Sequence, residues 1–315
     1  MKGFLGIDTS NYTTSVAFCS ENGELFSKRK LLEVKDGACG VRQSDAVFIH
    51  TKTLPALSRE LFSELDFLEI KAVGVSGFPR RASGSYMPCF LAGVSVAAST
   101  AAFLKVPLYV FSHQEGHLAA AARGSNMSLD SDFFAFHLSG GTLELLEVKA
   151  KTLEEKLLMS SADITTGQLI DRCGVKMGLK FPCGAKLEEL ALNSKAKFKV
   201  KIPVRDSKVC IAGLENSFDK LLNSNTSKED CAAFVFECVI STVEKMIEEI
   251  KDEKILFMGG VSSSQLMKKR LFLEGKRYFA SGEYSCDNAM GIALLAKSAY
   301  EAKKAEDNLD FIIKH

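Results

Sequence analysis

Residues 132–150 read DFFAFHLSGGTLELLEVKA, a strand-like apolar run, a Ser-Gly-Gly turn and a second strand. The chain opens in the same way: GFLGIDTS at 3–10 leads through the polar turn Ser10-Asn11-Tyr12 into TTSVAFCS at 13–20. Two such starts, far apart in one chain, predict a duplicated α/β core rather than a short-period repeat or solenoid. Strands alternate with helical patterns around both, which predicts mixed sheets with helices on their faces.

Working outward from the first start, ENGELFSKRKLLEV (21–34) continues as a third strand or hairpin arm, with Asn22-Gly23 as a tight turn. Residues 45–65 have helical spacing, with Pro55 as a break or kink. IKAVGVSG (70–77) reads as a buried strand, and 87–106 as a helix of small residues suited to close packing on a sheet. PLYVFS (107–112) is the next strand, and HQEGHLAAAARG (113–124) a helix closed by Gly124. After the second start, 165–178 and 183–193 are helical, and KVCIAGL (208–214) is extended or loop. Residues 227–253 form a long amphipathic helix opened by a Ser-x-x-Asp cap. KILFMGGVSSSQLMKKRL (254–271) is strand, glycine turn and helix, and CDNAMGIALLAKSAYEAKKA (286–305) carries the last helix. No low-complexity linker intervenes. The expected organisation is therefore two joined lobes, 1–112 and 113–315, with a cleft between them and the last helix packing back on the first lobe.

Composition narrows the function classes. With 40 basic and 39 acidic residues in 315, no global field marks a nucleic-acid or membrane-surface protein, so any RNA contact must come from local patches. No apolar run approaches the ~20 residues of a membrane span, and the N-terminus lacks a signal-peptide core. The 9 cysteines, scattered without CxxC pairs, fit reduced thiols and a cytoplasmic protein.

Four polar turns follow apolar strands: GIDTSNYTTS, HLSGGTLEL, FMGGVSSS and EYSCDNAMG. Strands ending in Gly-Gly let backbone amides approach an anion closely, so Ser139-Gly140-Gly141 and Gly259-Gly260-Val261-Ser262 suit phosphate and nucleotide contacts as well as plain turns. Neither matches the P-loop or the GxGxxG pattern. Asp8, at a strand end among hydroxyls, suits a metal–phosphate group or a capped hairpin turn equally. His113 and His117 stand at i and i+4, which places both imidazoles on one helical face as a first-row metal requires. An isolated HxxxH is more often a surface pair, so a third, carboxylate ligand is needed, and Asp287 in SCDNAMG is the candidate. Glu115 falls on about the opposite side of the helix, unlike the glutamate of HExxH, which argues against a zincin-type protease.

Together GIDTS, HQEGH, SGG, MGGVS and CDNAMG, in this order over nearly the whole chain, resemble the tRNA threonylcarbamoyl-adenosine synthase family, formerly described as glycoproteases or O-sialoglycoprotein endopeptidases. The resemblance implies a duplicated actin-like, sugar-kinase-like ATPase fold, in agreement with the doubled pattern. It implies acyl transfer, not proteolysis: a threonylcarbamoyl group passes from an acyl-adenylate to an adenosine amine of tRNA. It also implies one divalent metal ion, iron or zinc, held by His113, His117 and Asp287. An adenine nucleotide or acyl-adenylate would be contacted by Asp8, Leu138, Ser139, Gly140, Gly141, Asp171, Gly184, Gly259, Gly260 and Ser264. Partners implied are tRNA and other subunits of a threonylcarbamoyl-adenosine synthesis complex, with a dimer left open and no membrane.

The departures from the family pattern cluster at the nucleotide and tRNA-facing turns. Thr142 follows Ser-Gly-Gly where the family has histidine, and Ser264 stands for an asparagine. Gly167-Gln168 replaces Gly-Glu, Cys183-Gly184 replaces a double glycine, and GFPRRASGSYMP (77–88) replaces a Gly-Pro-Gly stretch. They keep two other readings in play: a carbamoyltransferase acting on a small molecule, and a non-catalytic partner subunit of a tRNA-modification complex.

Overall fold

The structure, a computed structural model, describes residues 1–32, 41–66, 69–82, 84–250, 253–282, 284 and 288–307. The chain starts with β1 (Lys2–Thr9), β2 (Thr13–Ser20) and β3 (Leu25–Leu31), an antiparallel meander whose second turn uses Gly23 at φ 84°. α1 (Gln43–Ser63) follows, then β4 (Glu69–Phe78), α2 (Phe90–Leu104), β5 (Leu108–Ser112) and α3 (His113–Gly124). β4 and β5 add in parallel beside β1, giving the order β3-β2-β1-β4-β5. α1 runs through Pro55 without ending, because Leu54, Leu57 and Leu61 hold its inner stripe in the core.

The meander then repeats as β6 (Phe133–Leu138), β7 (Leu143–Val148) and β8 (Glu155–Ser161). α4 (Thr166–Lys176), α5 (Gly184–Leu192), β9 (Val204–Arg205), β10 (Lys208–Val209), α6 (Ala212–Leu222) and α7 (Lys228–Ile247) come next. β11 (Ile255–Met258), a short 3-10 turn (Gly260–Ser263), α8 (Gln265–Leu271) and β12 (Arg277–Phe279) complete this part. β11 and β12 pair in parallel beside β6, giving β12-β11-β6-β7-β8-β10-β9. The core of each sheet is thus the same: an antiparallel meander extended beyond its first strand by two successive parallel strands. Phe136, Phe257 and Phe279 stack in register across β6, β11 and β12, at ring-centroid spacings of 5.3 and 4.5 Å. α7 opens with the expected cap, the Ser227 hydroxyl accepting the Asp230 N–H.

α9 (Asn288–Glu301) packs on the first sheet. A Cβ on Gly6 would lie 2.3 Å from the Ala289 carbonyl, and one on Gly74 2.9 Å from that of Ile292, so bare backbone in the strands lets α9 settle onto them. On the other face, Gly93 of α2 lies against the side chains of Thr9 and Ile7, which a Cβ would approach to 2.8 and 3.2 Å. Both faces being covered, β1 is buried along nearly its whole length, which accounts for its continuous apolar run. The compact units are Met1–Ala120 with Cys286–His315, and Ala121–Ser285. The division therefore lies later than residue 112, because the start of α3 backs onto α9: a Cβ on Gly291 would lie 1.8 Å from the Gly116 carbonyl.

Residues 208–214, read as extended or loop, are β10 followed by the first turn of α6. The cap that starts α6 comes from far away in sequence: Asp163 accepts the Ile211 and Ala212 N–H groups, each at 3.0 Å. Partial burial would raise the Asp163 pKa, but hydrogen bonds from the Ala212, Ile211 and Ile164 amides and the Ser161 hydroxyl outweigh it and lower it. A depressed carboxyl stabilises the fold fully above its ordinary value and loses that contribution as pH falls through the folded value. Asp163→Asn is therefore expected to cost about 1 kcal/mol at neutral pH. Denaturant unfolding should show the two proteins converging below pH ~4; equal stability at pH 7 would refute the cap.

The described cysteines are free, and no described helix is long and apolar enough to cross a membrane.

Candidate functional site

In the first unit the polar groups gather where the parallel strands end, the place where open α/β sheets bind ligands. β1 ends at Asp8–Thr9, β4 passes through Ser76, and β5 runs directly into His113 at the start of α3. Asp8 is fully buried, and its Oδ1 accepts the His113 Nδ1–H at 2.8 Å and the Asn288 Nδ2–H at 2.8 Å. Burial would raise the Asp8 pKa, but the charge of His113 and hydrogen bonds to His113, Ser76 and Asn288 hold it well below the usual carboxylate range.

In the neutral ring, with Nδ1–H given to Asp8, it is His113 Nε2 that carries the lone pair, and this atom lies 3.0 Å from His117 Nε2. Two ring nitrogens converging this closely need a shared proton or a shared cation. A cation with metal–nitrogen bonds of about 2.0–2.1 Å in tetrahedral geometry would hold them ~3.3 Å apart, so a small local adjustment suffices. The carboxylate behind His113 is the outer-sphere partner that fixes a metal-binding imidazole's tautomer. The donor set thus fits a first-row divalent metal. Asp287, the expected third ligand, lies outside the described residues, and among the described residues no three candidate ligands cluster.

Glu115 turns away from this pair. Its nearly buried carboxylate accepts the Ser112 N–H at 2.6 Å and the Arg81 Nε–H at 3.0 Å, pinning the first turn of α3. Gly116 has its own constraint, since a Cβ there would meet the Asn288 side chain at 2.3 Å. HQEGH and the NAMG start of α9 are in this sense one packing unit, with glycines letting α3 and α9 approach and polar residues at the resulting crossing.

The second unit holds a cavity of about 350 Å³ at the ends of β6 and β11. Gly140, Asp171, Gly184, Gly260 and Ser264 are among the residues that line it. Nothing lies within 4 Å of a Cβ built on Gly140 or Gly260, so these glycines leave open space rather than relieve a clash. The N-terminus of α4 is locked to the Ser-Gly-Gly turn: the Thr165 hydroxyl donates to the Gly140 carbonyl at 2.9 Å. Thr165 and Gln168 form a reciprocal capping box, a task glutamine performs as well as glutamate. Asp171 accepts the Cys183 N–H at 2.8 Å, tying α4 to the start of α5.

Other expected nucleotide residues have different surroundings. Asp8 belongs to the first unit and meets His113. Leu138 is fully buried, and Gly259, at φ 91°, is required because a Cβ would strike the Leu138 carbonyl at 2.3 Å. The Ser139 hydroxyl accepts the Gly141 and Thr142 N–H groups and so shapes the turn. Ser264 caps α8 and donates to Glu188 at 2.6 Å. Glu188 and Gly167, absent from the sequence-based set, also line the cavity. Their signal was the i,i+4 spacing to Gly184 and Asp171, which puts each pair on one helical face.

Solved structures place the fold in a known class. The activator of the 2-hydroxyisocaproyl-CoA dehydratase from Clostridium difficile with bound ADPNP aligns over 97% of this chain and 98% of its own, with TM-score 0.57 and 16% identity. A ROK family glucokinase from Streptomyces griseus, in complex with glucose and AMPPNP, aligns over 94% and 99%, with TM-score 0.51 and 11% identity. The fold is that of the actin-like and sugar-kinase-like ATPases, as expected. The family model for tRNA N6-adenosine threonylcarbamoyltransferase, TsaD, matches residues 29–294, and the chain belongs to this family of transferases, which are not proteases. A relative of that name from Neorickettsia sennetsu is 26% identical over 96% of this chain and 94% of its own length.

Proposed function

We propose that the protein transfers a threonylcarbamoyl group from threonylcarbamoyl-adenylate to the exocyclic amine of a tRNA adenosine. The observation that carries this reading is the convergence of the His113 and His117 Nε2 atoms at 3.0 Å, with the Asp8 carboxylate behind His113. His113 and His117, with Asp287, would hold one divalent iron or zinc ion. Bound there, the ion supplies a Lewis acid for the carbamoyl carbonyl.

The chain's own groups do the rest. Asp8 keeps the Nδ1 proton on His113, so Nε2 stays a lone-pair donor. Glu115 and Arg81 hold the turn that presents both rings. The amine nitrogen bonds to the carbamoyl carbon, the bond from that carbon to the AMP oxygen breaks, and the amine gives up a proton. AMP leaves readily, so little acid–base machinery is needed, in keeping with a nucleotide cavity lined by glycines, Asp171 and Glu188. The reaction belongs to the cytoplasm, where the tRNA is, and the free cysteines accord with a reducing compartment.

The test is incubation with threonine, bicarbonate, ATP, the upstream adenylate-forming enzyme and undermodified tRNA, followed by nucleoside mass analysis. Appearance of threonylcarbamoyl-adenosine is expected; its absence, with partner subunits supplied, would refute the assignment.

The cavity makes a separate prediction. A Gly260→Val side chain would enter open space, so the fold should survive with a nearly unchanged thermal midpoint. Adenine-nucleotide affinity should fall at least ~10-fold, since the side chain removes contacts worth more than about 1.4 kcal/mol. Calorimetric titration with ATP measures this, and unaltered affinity would show that the nucleotide lies elsewhere.

A further inference from the structure

Residues 194–208, SKAKFKVKIPVRDSK, contain six cations and one acid, Asp206, in a chain of formal charge +1. From Lys197 onward exposure alternates: Lys197, Lys199, Lys201 and Arg205 are exposed, whereas Phe198, Val200, Ile202 and Val204 turn inward. That period of two is the pattern of extended backbone. The inward residues pack on the second unit's core, with Phe198 edge-on to Phe234 at 5.3 Å. Both ends are anchored. The Ser194 hydroxyl donates to Asp230 at 2.5 Å, and the Cys210 N–H donates to the Pro203 carbonyl at 3.0 Å.

The outward side concentrates cations with one acid, Asp206, among them. The side chains of Lys195, Lys197, Lys199, Lys201, Arg205 and Lys208 make no hydrogen bond or ion pair with another described residue. Some other cations of the same unit are paired, Lys176 with Asp219 at 2.7 Å, Lys149 with Asp132 at 2.8 Å and Arg270 with Glu244 at 2.9 Å, but none of these belongs to a row of this kind. Surface lysines are ordinarily interspersed with carboxylates; a fixed row of unneutralised ammonium groups attracts a linear polyanion and gains from counterion release when one binds. Alternate residues of an extended chain lie ~6.6 Å apart, a spacing comparable with that of successive phosphates along an RNA strand.

We propose that this lysine row is the surface on which the protein holds the phosphate backbone of its RNA substrate. The inference rests on the tRNA reading above and adds the place of contact. The row follows directly from α5, whose Gly184 end lines the nucleotide cavity; a helix of 9 residues is ~13 Å long, so the held strand would run within one short helix of that cavity.

The experiment compares wild type with the combined variant Lys195→Gln, Lys197→Gln, Lys199→Gln, Lys201→Gln in filter binding of unfractionated tRNA across a salt series. Binding by the variant is expected to be about 10- to 100-fold weaker at ~0.1 M salt, with a log–log salt slope shallower by ~3 for four lost phosphate contacts. The corresponding Lys→Arg variant should bind as wild type does, and unchanged thermal midpoints would exclude misfolding. A glutamine variant with wild-type affinity and slope overturns the lysine row and leaves the proposed reaction standing. A wild type that binds no tRNA overturns both, as does one that binds phosphatidylserine vesicles in its place.

Discussion

Alanine at position 117 is expected to leave the purified protein without bound metal and to lower threonylcarbamoyl transfer by at least ~10³-fold. The size follows from the charge the ion would stabilise: Lewis-acid assistance is worth several kcal/mol, and ~4 kcal/mol corresponds to about three powers of ten in rate. The loss should be confined to chemistry, since His117 is only half-buried and its ring supports no core packing in the way Leu118 does. A graded contrast sharpens the test. Asp8→Asn keeps both ring nitrogens but loses the carboxylate behind His113, so metal affinity should fall by the ~10–100-fold typical of an outer-sphere partner. Metal analysis and single-turnover nucleoside mass analysis read the two effects. A wild type purified free of metal, or a fully active His117→Ala, would end the metal reading and favour the non-catalytic subunit.

Gly291→Ala should damage the fold more than any conservative substitution at the polar cluster. The added methyl carbon would sit 1.8 Å from the Gly116 carbonyl oxygen and 3.0 Å from the Ala120 nitrogen, both backbone atoms that cannot swing aside. α3 and α9 would have to part, which moves His117 and Asn288 together with them. Overpacking ordinarily costs about 1–3 kcal/mol, and a backbone-to-backbone clash lies at or beyond the upper end, lowering the unfolding midpoint by ~5–10 °C. Scanning calorimetry and soluble yield measure it. A midpoint within a degree of wild type would mean that the two helices do not approach in this way.

Most elements were legible because their signals are local. The meander strands, the Asn22-Gly23 turn, the Ser227 cap and the small-residue α2 depend on neighbouring residues alone. What escaped was built by distant partners. α6 starts where Asp163, 48 residues upstream of Ile211, accepts its first amides, and no local pattern announces that. Short β12 is a strand because β11 offers it a parallel edge. Pro55 reads as a breaker by its missing N–H, yet a buried leucine stripe carries α1 through it.

The candidate site divides along the same line. By itself the sequence determined the duplication, the transferase family and the His113–His117 pair, since strand period, motif order and an i,i+4 spacing are all written along the chain. Only the tertiary structure decided that Asp8 serves His113, that Ser264 bonds Glu188, and that Thr165 ties the start of α4 to the Gly140 carbonyl. Each of those roles is set by which strand end or helix end arrives beside it, and that depends on how sheets and helices pack around a shared core.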